Sequence, residues 1–96
     1  MSDVISAAVT ALNDKMGGEG FDGIAKFVIE GEGAIVIDEN GARAAEDEAD
    51  VTLSADADTF ESILKGDLDP TAAFMSGRLS VDGDMGLAMK LGSVLA

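Results

Sequence analysis

Asp69–Lys90, DPTAAFMSGRLSVDGDMGLAMK, compresses a short helix, a strand and the start of a last helix into one run. Asp69 before Pro70 is a helix start. The aspartate can cap, and proline at the first helical position gives up only an N–H that has no partner there anyway. Gly77 stops that helix. Leu79 and Val81 then alternate with Arg78, Ser80 and Asp82, the pattern of a strand with one buried face. Gly83 ends the strand, and Asp84 can cap the helix that follows, Met85 to about Leu95. That helix is apolar on nearly every side. Met85, Ala88 and Met89 share one face, while Leu87, Leu91, Val94 and Leu95 share another. Lys90 is its only charge.

A helix apolar all round must be covered all round. A chain of 96 residues has little other material with which to do so. Burying a Leu, Met or Phe contributes roughly 1.5–3 kcal/mol. Leaving two or three of them wet costs an amount comparable with a small domain's whole stability, about 5–15 kcal/mol. A bound apolar molecule or a partner surface is therefore expected to share the burial.

The rest of the chain supplies a sheet and two further helices. Ser2 can cap a first helix whose Ile5, Ala8, Val9, Leu12 and Met16 recur at helical spacing, with Gly17-Gly18 as its end. Glu19 to Gly23 reads as a loop. Ile24 to Glu30 is a strand with Ala25, Phe27 and Ile29 on one face. Ala34 to Asp38 is the next, with Ile35 and Ile37 buried. Asn40-Gly41 predicts a type I′ hairpin, which needs positive φ at both central residues. Ala42 to Glu46 is the returning strand, short and Ala-rich, hence expected at an edge. Val51 to Ser54 is a fourth strand. Ser54 or Asp56 starts a helix carrying Phe60, Ile63 and Leu64, with Lys65 in its last turn and Gly66 at its end. The order predicts an α+β fold: a five-stranded, mostly antiparallel sheet with helices packed on one face, residues 1–96 forming one domain.

Composition excludes several functions. Nineteen acids against six bases give a net charge of −13. Nucleic acid is a poor partner, because there is no basic patch to displace phosphate counterions. The same charge opposes docking on an anionic membrane. There is no Cys and no His. That removes disulfides, thiolate chemistry, Ser-His and Cys-His pairs and the usual zinc sites. Glu46-Asp47-Glu48-Ala49-Asp50 lacks the spaced acids and central Gly of an EF-hand and reads as a solvated link. Gly17-Gly18-Glu19-Gly20 lacks the Lys and Ser/Thr of a P-loop. The remaining acids fall at caps and turns, so no catalytic residue, metal or cofactor is assigned. The start, Met1-Ser2-Asp3, does not resemble a secretory signal, and no run is long enough for a membrane span. A cytoplasmic protein without integral membrane association is expected, a monomer or weak homodimer making at most transient membrane contact.

A binding cavity for an apolar molecule is the better-supported site. Its candidate lining is Phe60, Ile63, Leu64, Phe74, Met75, Leu79, Met85, Met89 and Leu91. Each alone reads equally well as ordinary core, but the group exceeds what one sheet can cover. Three of the five methionines fall here, and methionine adapts to varied apolar shapes.

The run Asp69–Leu91 closely resembles the C-terminal signature of the sterol carrier protein type 2 family. Ala49-Asp50-Val51-Thr52-Leu53-Ser54 and the Phe60–Gly66 helix match the family's order of elements. The resemblance implies a five-stranded sheet with helices on one face and an apolar tunnel between them. Family members carry sterols, fatty acids and fatty acyl-CoA without transforming them. On this chain the ligand-facing positions would be Phe60, Leu64, Phe74, Met75, Met85, Met89 and their neighbours. The chain ends Val94-Leu95-Ala96, without the peroxisomal tripeptide of many eukaryotic relatives, and its small acidic form looks like a stand-alone bacterial type. That favours a fatty acid, fatty acyl-CoA or isoprenoid-like lipid over a sterol. A grip on CoA phosphates would require Lys65, Arg78 and Lys90 to gather at the mouth. The alternative function is an interaction or accessory module whose last helix is an interface, presenting lipid to an enzyme.

Overall fold

A computed structural model describes residues 3–17 and 20–95. The expected cap at Ser2, Gly18 of the helix end and Glu19 of the loop lie outside them. The elements are α1 (Asp3–Met16), β1 (Ala25–Ile29), β2 (Gly33–Asp38), β3 (Gly41–Ala44), β4 (Val51–Ala55), α2 (Ala57–Lys65), α3 (Pro70–Met75), β5 (Ser80–Gly83) and α4 (Met85–Leu95). The sheet runs β3-β2-β1-β4-β5. Three of its pairings are antiparallel, and β1 with β4 is parallel. The weak strand β3 is at an edge, as its composition predicts.

One face of the sheet carries the core. Ala25, Phe27 and Ile29 of β1, Ile35 and Ile37 of β2, and Val51 and Leu53 of β4 are all buried. They are in register across the sheet, Phe27 opposite both Ile35 and Leu53. Helix α1 lies on β2 and β3, while α4 lies on β1, β4 and β5 and against α1. The apolar stripe of α1, Ile5, Ala8, Leu12 and Met16, is buried as its spacing requires. Helix α2 is bounded as its sequence dictates. Asp56 accepts from the Thr59 N–H, and Gly66 closes the end at φ 81°.

Two features of β2 and its turn differ from expectation. All four residues Ala34 to Ile37 are buried, not the alternating pair alone. The register sets Val36 between Lys26 and Arg43 on the outer face. Their alkyl stems can shield it while their charges stay in water. The hairpin is not type I′. Asp38 pairs with Gly41, so Glu39 and Asn40 make the turn, and among the described residues no non-glycine has positive φ. Gly41 alone takes it, at 103°. Asp38 makes up the difference, its Oδ1 accepting from Asn40 N at 2.9 Å and its Oδ2 from Arg43 at 2.6 Å.

The loop after α1 adds more to the core than its composition suggests. Phe21 is 3% exposed and donates its N–H to the Asp38 carbonyl at 2.9 Å. Gly20 is obligatory, because a Cβ there would sit 1.9 Å from the Glu39 carbonyl oxygen.

Candidate functional site

The surplus of apolar surface on α4 resolves into three faces. Ala88, Leu91 and Leu95 turn into the core. Leu87 is half-buried against the loop, where Gly23 makes room for it; a Cβ on Gly23 would fall 2.8 Å from the Leu87 side chain. Met85 and Met89 turn outward and remain 48% and 73% exposed.

Helix α3 adds to this open face. Asp69 caps it, accepting from Ala72 N at 3.4 Å, and Pro70 occupies its start. Ala73 is fully buried, which leaves Phe74 and Met75 on the other side, 42% and 80% exposed. The chain then turns through Gly77 at φ 83°. Leu79 is buried on the way into β5, where Val81 pairs with Leu53. Asp84 starts α4 by accepting from Leu87 N at 3.2 Å.

Between these elements lies an open groove of about 500 Å³, floored by Leu53, Leu79, Val81 and Ala88 and walled by Pro70, Phe74, Met75, Met85 and Met89, with Gly92 and Ser93 at one end. That volume is within the range of small-molecule sites, about 300–1,000 Å³. The lining is overwhelmingly apolar, and among the described residues Asp69 is the only charged one in it. A second groove of about 440 Å³ runs between α1 and α2, along Val4, Ala7, Ala8, Ala11, Ala57, Phe60 and Leu64, with Asp3, Glu61 and Lys65 at its rim.

Five of the nine predicted lining residues, Phe74, Met75, Leu79, Met85 and Met89, thus meet in the α3–β5–α4 groove. Phe60 and Leu64 border the second groove instead. Ile63 and Leu91 are completely buried and border neither. The apolar space is an open trough and not the enclosed tunnel that the resemblance implies. Pro70, Val81 and Gly92 also line it, although sequence alone does not place them in the cavity; their exposure on the groove depends on how α4 crosses α3.

The charges expected to gather at a mouth are dispersed. Lys65 pairs with Glu61 at 2.8 Å, Lys90 lies 3.5 Å from Asp22, and the charge of Arg78 acts on Asp56. None of the three lines the α3–β5–α4 groove. Among the described residues no group of His, Cys, Asp or Glu could hold a metal ion, and no helix is long and apolar enough to cross a membrane.

A sequence model of the SCP-2 sterol transfer family matches residues 10–96. The chain belongs to that family. Its architecture is that of the family's solved structures. Sterol carrier protein 2 like 2 from Aedes aegypti superposes with a TM-score of 0.78, 18% identity and 95% coverage of both chains. Sterol carrier protein-2 from the same mosquito, solved in complex with palmitate, gives 0.77, 21% identity, and 100% and 97% coverage. Among curated relatives, hydroxysteroid dehydrogenase-like protein 2 of Xenopus laevis is 41% identical over 81 residues, 76% of this chain and 19% of that protein. The chain spans less than a fifth of the length of the curated relatives it matches. These are vertebrate and insect proteins, so the expected bacterial type is not borne out.

Proposed function

We propose that this domain binds an apolar lipid in the α3–β5–α4 groove and carries it without transforming it. The observation that carries the reading is the set of exposed side chains around one trough: Met75 at 80%, Met89 at 73%, Met85 at 48% and Phe74 at 42%. Large apolar residues exposed together mark an interaction site, and methionine suits one that must fit varied shapes. Covering them contributes roughly 4–8 kcal/mol gross, with about 0.8 kcal/mol more for each buried CH₂ of the cargo. The enclosed tunnel of the resemblance forms as cargo fills the trough and Met75 and Met89 fold over it. Palmitate in the mosquito protein of the same fold supports a cargo with one long chain. Fatty acid, fatty acyl-CoA and sterol or isoprenoid-like lipids are the classes to test. Transfer within the cytoplasm and action as a single domain, monomeric or weakly dimeric, complete the proposal.

Native mass spectrometry of gently purified protein tests it, together with Gly92→Leu. A Cβ on Gly92 meets only Pro70, at an ordinary 3.8 Å, so the new side chain occupies the groove without disturbing the backbone. Retained lipid in the parent and none in Gly92→Leu supports the reading. Equal lipid in both, or no lipid and no uptake by the parent, defeats it. The exposed methionines also fit a protein surface, the accessory-module reading. A dimer in light scattering that survives added lipid would favour that alternative.

A further inference from the structure

Three of the four methionines among the described residues border the α3–β5–α4 groove. Met75 stands on α3, and Met85 and Met89, one helical turn apart, stand on α4. All three reach water, whereas Met16 is buried in the stripe of α1. The chain has no Cys. Its exposed thioethers therefore meet an incoming peroxide with no thiolate of the same chain in competition.

We infer that Met75, Met85 and Met89 form a reversible oxidation site, at which a peroxide turns the groove's apolar wall polar and loosens its hold on cargo. The loosening rests on the reading of the groove as a lipid site; the oxidation itself does not. A lone pair on the methionine Sδ attacks one peroxide oxygen, so that an S–O bond forms and the O–O bond breaks. The transferred oxygen gives its proton to the departing hydroxide, which leaves as water. Sulfur loses two electrons and the peroxide gains them. Return to the thioether takes two electrons from a dithiol, which becomes a disulfide, and releases the oxygen as water. This chain has no thiol, so the dithiol belongs to a separate methionine sulfoxide reductase. In the empty groove each sulfoxide oxygen stays in water, and the fold loses nothing. Under a cargo chain the same oxygen must give up its water to an alkyl surface that donates no hydrogen bond, or hold its side chain back from the cargo. Both weaken binding. Cargo in turn shields the sulfurs, so a loaded groove oxidises more slowly than an empty one.

Delipidated protein treated with hydrogen peroxide and mapped by peptide mass spectrometry reports each sulfur separately. Met75 and Met89 are expected to gain oxygen first, Met85 next and Met16 last, the order of their exposure. Palmitate and hexadecanol are then titrated into protein before treatment, after it, and after repair by the two reductases that act on the two sulfoxide epimers. Oxidation of the groove methionines should weaken uptake at least about tenfold, less than the apolar contact of two methionines supplies. The lipid-free Tm should stay in place, and repair should restore uptake. Met75→Leu combined with Met89→Leu has its own starting affinity, but the ratio of treated to untreated affinity should move close to one. Oxidation of Met16 ahead of the groove sulfurs, a fall in lipid-free Tm, or unchanged affinity with Met75 and Met89 fully oxidised overturns the inference and leaves the lipid site standing. An equal loss in the double variant overturns it too, because the effect then comes from other residues. Untreated protein that takes up neither lipid overturns the lipid site, and the inference with it.

Discussion

Phe60 and Phe74 sit on consecutive helices and meet opposite fates. Phe60 is 1% exposed, its ring 4.3 Å from that of Phe27 and tilted by 57°. Phe74 is 42% exposed on the wall of the groove. The difference lies in what each helix has opposite it. Helix α2 has nine residues, a cap at each end and one apolar stripe, which packs beside α1 and sets Phe60 against Phe27 of β1. Helix α3 has six residues and buries only Pro70 and Ala73. Beside it α4 is apolar on three sides with cover for two. In the half around Phe60 the core is closed by the chain's own side chains, and among the described residues Val4 is the one large apolar side chain exposed in the groove beside it; in the half around Phe74 four such side chains, its own included, are left in water. On the function proposed above, a lipid cargo would supply the missing contact.

The contrast is sharpest as a pair of truncations. Phe60→Ala should cost about 3–5 kcal/mol, the usual range for a buried phenylalanine. Phe74→Ala should cost less than about 1 kcal/mol in the absence of lipid, because its side chain is already half in water. Denaturant unfolding of both variants measures this. Similar losses at the two positions would break the distinction between a finished and an unfinished half.

A second test probes what closes the finished half. Asn13, on α1, spans to the edge strand β3, donating to the Ala42 carbonyl at 3.1 Å and accepting from the Ala42 N–H at 2.9 Å. It stands in for the strand neighbour that β3 lacks on that side. Asn13→Ala should cost about 1–2 kcal/mol, since it leaves two backbone groups of a buried residue without partners. Hydrogen exchange should locate the loosening at the Ala42 amide, with α3 and α4 unaffected. A change that spreads to α4 would mean that the two halves do not open separately.

Asn13 also marks the limit of what the sequence makes legible. Element order, the edge position of β3, both caps of α2, and the bounds of α4 follow from local chemistry: periodicity, Asp before a helix, Gly after one. The position of β4 beside β1 and the clamp from Asn13 do not, because they depend on residues far apart in the chain. Phe21 was hidden for a related reason. It sits among Gly and acidic residues that read as solvated loop, yet its backbone bond to Asp38 carries it into the core. The hairpin was misread because Asn40-Gly41 has type I′ composition, whereas Asp38 engages both Asn40 and Arg43 and sets the turn one residue earlier. At the groove, the methionines were legible as surplus apolar surface. Which of the nine predicted residues face the trough was not, since facing depends on the angle at which α4 crosses α3.

A third test approaches the contrast from the open half. Met75→Ser combined with Met89→Ser should change stability by no more than about 0.5 kcal/mol, as for ordinary surface substitutions. Retention of lipid should fall, because roughly 1.5–3 kcal/mol of apolar contact is lost at each position. Thermal unfolding with and without added lipid separates the two effects: the lipid-induced rise in Tm shrinks while the lipid-free Tm stays in place. A large fall in the lipid-free Tm would show that these methionines were serving the fold.

The smallest expected effect is that of acid on the turn of the finished half. The Arg43 guanidinium bonded to Asp38 holds its carboxyl below the usual carboxylate range, with the Asn40 N–H assisting. A carboxyl with a lowered folded-state pKa stabilises the fold above its unfolded value, about pH 4, and loses that contribution as pH falls through the folded value. The Asn40 amide resonance should therefore stay constant from neutral pH to about pH 4 and move only below it, with a midpoint under that of an unperturbed aspartate. Because Asp38 is bonded at the surface, the accompanying change in global stability is slight. Asp38→Asn abolishes the titration. If the resonance instead moves above pH 5, the Arg43 pair does not hold in solution. The β2–β3 turn would then rest on Gly41 and the Asn13 clamp alone, and the finished half would be less tightly closed at its edge than the geometry indicates.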